Sequence, residues 1–151
     1  MDRTSPNTDG PTLMGSWGFR TFEDDIACDW LEDLYDSAPI AFFIQCLDLE
    51  GHDYLEFLAC VGVVCTAEML HGIARQPRQR LPEVAYHWCE THRDLDVQSL
   101  LPQAVEGMQR VLGSHSEMHQ QWEDDADRYK TWMQHHQELI GGLRSSMAEK
   151  A

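Results

Sequence analysis

Glu68 stands between Ala67 and Met69 in the most apolar stretch of the chain. An ionised carboxyl there is costly unless it is paired or hydrogen-bonded. Two readings follow. Glu68 accepts hydrogen bonds from backbone N–H groups, for instance those of the turn Gly15-Ser-Trp-Gly18, and pins that turn to the core. Alternatively it is a catalytic acid or a metal ligand. His71 follows three residues later and completes an E-x-x-H. Carboxylate-bridged di-iron bundles need two such motifs and two further glutamates on facing helices. Only one is present, since Glu83/His87 and Glu90/His92 have other spacings. His115 and His119 stand at i and i+4 with Glu117 between them, a spacing that can chelate a metal. Ser116 occupies the place where H-E-x-x-H has its glutamate. The plainer reading is an exposed polar helix face, extended by His135 and His136. The enzymatic reading is therefore a small metal-dependent or carboxylate-based enzyme using Glu68, His71, Glu117 and His119, with His71, His115 and His119 as weak metal candidates; a cysteine hydrolase has no motif in its support. There is no G-x-S-x-G, no phosphate-binding loop and no dinucleotide fingerprint. The balance leans away from an enzyme, and no cofactor is implied.

The remaining composition points to partners instead. The 151 residues carry 11 Lys+Arg against 26 Asp+Glu, a net charge of −15. Such a surface repels phosphate backbones and anionic lipid, which argues against nucleic acid and membrane. It favours solubility and attracts a basic partner, for which the acidic runs Glu23–Asp25 and Glu123–Asp127 are the expected surface. Apolar residues make up 42%, enough for a core in one domain. Five cysteines, Cys28, Cys46, Cys60, Cys65 and Cys89, form no C-x-x-C and sit among apolar or helical neighbours. Reduced thiols in a cytoplasmic protein are expected. The apolar run Phe57 to Val64 is too short to span a bilayer.

Helical periodicity organises most of the chain. Residues 1–13 read as a disordered leader, with Met14 as an alternative start. A first helix is expected from Asp24, with Ile26, Ala27, Trp30, Leu31 and Leu34 on its buried face. Pro39 opens a second helix with Phe42, Phe43, Cys46 and Leu47 inward. Asp53-Tyr-Leu-Glu56 reads as a capping box for a long central helix, Tyr54 to Arg75, with Leu55, Leu58 and Met69 among its apolar positions. Pro82 begins a short helix through Trp88. Asp96 caps the next helix, which Pro102 places at or after a turn. Ser114-His-Ser-Glu117 is a second capping box. A break is expected near Asp124 to Asp127, and fraying after Arg144. No segment reads as a strand.

The order of Gly15-Ser-Trp-Gly18, Phe22-Glu-Asp-Asp25, Asp29-Trp30-Leu31, Ala67-Glu68, Leu81-Pro82-Glu83 and Ser116-Glu117-Met118 through Trp122 resembles the bacterial domain-of-unknown-function family 4259. The resemblance covers about residues 14–143 and implies no enzyme activity. Met118 stands where that family has leucine, and the central helix is richer in Cys and Val.

These features predict an all-α, single domain of six or seven helices around a central apolar helix, residues 14–143, with 144–151 a frayed tail. The function expected is non-enzymatic: an accessory or immunity-type protein that binds a protein partner of basic character. An oligomerising role is the third reading. Trp17, Asp25, Trp30, Glu68, Glu117 and Trp122 are the candidate functional or structural positions. Trp30 and Trp122 are expected in the core, and Trp17 as a lid or a contact residue.

Overall fold

The computed structural model describes residues 21–22, 25–77 and 81–147. Its helices are α1 (Asp25–Tyr35), α2 (Pro39–Leu47), α3 (Phe57–Ala74), α4 (Glu83–Thr91), α5 (Leu101–Val111), α6 (Glu117–Glu123) and α7 (Ala126–Ser146). Every residue from 60 to 73 of α3 is buried, which a helix achieves only when it is covered on all sides. The other six helices all pack on it. The all-α expectation holds, with seven helices among the described residues and the apolar helix at the centre. By length and composition α3 as a whole could cross a membrane, a correction to the shorter run read from sequence. It is 78% buried inside the bundle, as a core helix is.

The start of α3 differs from expectation. The helix begins at Phe57, because residue 55 is drawn into extended backbone. The Leu55 N–H donates to the His115 carbonyl at 2.9 Å, and the Glu117 N–H donates to the Leu55 carbonyl at 2.9 Å. This parallel bridge places the Leu55 side chain fully inside. Asp53 therefore caps nothing, and Glu56, the residue before the helix, supplies no side-chain cap. Glu117 does so from across the fold: its Oε1 accepts the Phe57 N–H at 2.8 Å. At the other end Arg93 Nη1 donates to the carbonyls of Gly72 (2.7 Å), Ile73 (3.3 Å) and Arg75 (3.1 Å). Unmatched terminal groups of α3 are thus met by an anion at the N-terminus and a cation at the C-terminus, the signs that suit the helix dipole.

Other local expectations fare variously. Ser116, not Ser114, caps α6, its Oγ accepting the His119 N–H at 3.2 Å. Asp96 accepts the Gln98 N–H at 3.2 Å and opens a 3₁₀ turn, Gln98–Leu100, after which Pro102 lies in the first turn of α5. The chain breaks between α6 and α7, where Asp125 caps the latter through the Arg128 N–H at 3.3 Å. Helix α7 continues past Arg144 to Ser146. Ile26 (37% exposed) and Leu58 (69%) were expected inside and lie at the surface. The expected leader (1–13), the Asp24 cap and residues 148–151 fall outside the described residues.

Candidate functional site

Burial of Glu68 follows from its place on α3, and its hydrogen bonds follow from what surrounds that place. Only 1% of the residue is exposed. Thr21 Oγ1 donates to Glu68 Oε2 at 2.7 Å, and His135 Nε2 on α7 lies 3.8 Å from the same oxygen. Glu68 therefore joins the segment ahead of α1 to the central helix and to α7. Residues 15–18, including Trp17, lie outside the described residues; Thr21, just beyond them, provides the donor that is seen. Sequence reasoning found the carboxylate and missed Thr21. His71, one turn further on, is also buried. Its Nδ1 is 2.9 Å from the Gln76 carbonyl oxygen, and its opposite ring edge rests on the backbone of Gly142 in α7.

Glu117 and His119 belong to another part of the molecule. Glu117 is engaged at Phe57, eleven residues before Glu68, about 16 Å along the helix. His119 Nε2 is 2.6 Å from Tyr129 Oη, and its ring lies 6.1 Å from that of Trp132. The side chain of His115 is exposed, its carbonyl being the part that binds Leu55. The four residues of the enzymatic reading do not converge, because helix capping holds Glu117 at the far end of α3. Among the described residues no group of three His, Cys, Asp or Glu side chains could hold a metal ion, so His71, His115 and His119 form no centre.

The cysteines form no disulfide, and Cys60, Cys65 and Cys89 are buried. Burial pushes the Cys89 thiol up to about 12 and raises that of Cys60, against the lowering effect of the Ser116 hydroxyl 3.4 Å away. Both are neutral thiols at physiological pH and lack the thiolate a nucleophile needs. The Cys89 shift has a sign that can be checked. Its folded value exceeds the ordinary 9.0, so its stabilisation is complete below pH 9 and is lost as pH rises towards about 12. Urea midpoints measured from pH 8.5 to 11 should fall more steeply in the wild type than in Cys89→Ala; parallel slopes would refute a thiol held protonated by burial.

Trp30 and Trp122 are core residues, each 8% exposed. Trp30 packs on Phe42 at 5.3 Å between ring centroids and donates its Nε1–H to Cys46 Sγ at 3.4 Å. Trp122 stacks on Trp132 at 5.8 Å with Arg128 over its ring. Asp25 lies on the opposite, outward side of α1. With Asp29, Glu32, Asp33 and Asp36 it recurs at i, i+4, i+7, i+8 and i+11, and all five are exposed. The four on α1 form one carboxylate stripe about 12 Å long, and Asp36 follows in the turn just past the helix. No Lys or Arg occurs anywhere between residues 21 and 74. The signal for this stripe, a helical period in the acidic residues, is present in the sequence beside the apolar period. Like charges at i, i+4 cost a helix about 0.2–0.5 kcal/mol each, so the stripe is a local liability in stability.

No curated protein and no solved structure matches the chain. The model of one family, described as Domain of unknown function (DUF4259), matches residues 15–135, and the chain belongs to that family.

Proposed function

We propose that this domain is a non-enzymatic interaction protein, of accessory or immunity type, that captures a basic protein partner in the cytoplasm through the outward face of α1. The observation that carries this reading is the carboxylate stripe from Asp25 to Asp36, in a stretch, residues 21 to 74, that contains no Lys or Arg. A helix that accepts self-repulsion along a whole face has a surface matched to the opposite sign. The acidic run at 123–127 is the weaker surface, since Asp125 is engaged in capping α7 and lies 3.6 Å from Arg128 Nη1. Charge complementarity of this kind acts chiefly on association rate and fades with salt.

Recovery of partners from the native host at low and high salt tests this. Wild-type protein should retain a basic partner at low salt and release it at high salt. The variant Asp29→Asn/Glu32→Gln/Asp33→Asn should lose it at both while keeping, or raising, the urea midpoint. No partner at low salt, or equal recovery by the variant, would end the proposal.

A further inference from the structure

A groove of about 390 Å³ lies between the end of α2 and one face of α5. Its lining is mixed: Ile44, Leu47, Leu49 and the backbone of Gly107 supply apolar surface, with Ile44 half exposed. A Cβ at Gly107 would lie 3.0 Å from Val63 Cγ1 on α3 and 3.9 Å from Leu47 Cδ2, so α5 approaches α3 closely at this point. The rim carries Asp48, Glu50 and Glu106. One cation, Arg110, is also present, and its guanidinium donates to the carbonyls of Leu49 and His52. Three carboxylates and one guanidinium leave the groove two charges negative.

A groove that offers both apolar side chains and a net anionic set of carboxylates suits a side chain with an aliphatic stem and a cationic head. Of the two such residues, arginine has the flat, forked guanidinium that carboxylates take in pairs and that lies well on apolar surface. We infer that this groove seats an arginine side chain of the basic partner. The inference rests on the proposed function for the existence of that partner, but the groove's preference is testable without it.

The test uses ¹⁵N-labelled full-length chain and N-acetyl-arginine amide as probe, with the neutral isostere N-acetyl-citrulline amide as control. The arginine probe should give saturable shifts at the amides of Leu47, Gln103 and Gly107, half complete at about a millimolar. Citrulline should give none. Glu50→Gln/Glu106→Gln should weaken the arginine effect about fivefold. Shifts spread evenly over the surface, or equal for both probes, would overturn the inference. So would groove shifts that grow with protein concentration alone, which would make a second copy the occupant. If the groove responds while no partner is recovered through α1, the site stands and the proposed function falls. If the α1 variant loses its partner while the groove ignores arginine, the reverse holds.

Discussion

Glu68→Ala should lower the stability of this domain by about 3 kcal/mol, and Glu68→Gln by less than about 1. The alanine variant removes a side chain that is 1% exposed and leaves a cavity in the most enclosed helix of the fold. It also strips the Thr21 hydroxyl of its 2.7 Å acceptor and His135 of its neighbour. Glutamine keeps the volume and an acceptor oxygen for Thr21. Urea titration of both variants at one pH measures the difference. Thr21→Val, which removes the donor from the other side, should reproduce part of the alanine loss. Equal small losses for Ala and Gln would mean that Glu68 does not hold the segment ahead of α1, and the structural reading of this carboxylate would fail.

Gly142→Ala should destabilise by about 2–3 kcal/mol, although alanine is ordinarily the better helix former. A Cβ at 142 would lie 2.6 Å from His71 Cδ2 and closer still to Nε2. The ring cannot swing aside, being buried and tied through Nδ1 to the Gln76 carbonyl. The two helices must then separate. His71→Ala should relieve that contact, so the double variant should be more stable than the sum of the single losses predicts, by about 1–2 kcal/mol. A thermal or urea double-mutant cycle reads this directly, and simple additivity would show that α3 and α7 are not in contact through this pair. The neighbouring Gly141 provides an internal comparison. A Cβ there meets nothing within 4 Å, so Gly141→Ala should be neutral or stabilising.

The two variants also show what the sequence reveals and what it hides. Periodicity located the inner faces of α1 and α2 through Trp30, Leu31, Leu34 and Phe43, and identified α3 as the central helix. The break near Asp124 to Asp127 and the start signalled by Pro102 were read correctly because crowded like charges and the missing proline N–H act within one turn. The start of α3 was misread for the opposite reason. Its local signal, Asp53 to Glu56, is overruled by hydrogen bonds between Leu55 and a segment about 60 residues away. Ile26 and Leu58 were misplaced because apolar spacing defines a face without saying how far a neighbouring helix covers it. At the candidate sites, the burial of Glu68 was legible from its neighbours in sequence. Its donor Thr21, 47 residues distant, was not, and neither was the reason Glu117 stands apart from it.

The central rod is finished at each end by atoms that come later in the chain. Glu117 is 60 residues beyond the N–H it satisfies, and Arg93 is about 20 beyond the carbonyls it gathers. During synthesis, α3 therefore emerges with greasy flanks and open termini, and stays so until the α6 segment has been made. A nascent chain halted before residue 117 has no native way to close its own middle. Folding of this domain is in consequence a late, all-or-none event, and C-terminal truncations that remove α6 should yield material recognised by holding chaperones rather than a smaller folded unit.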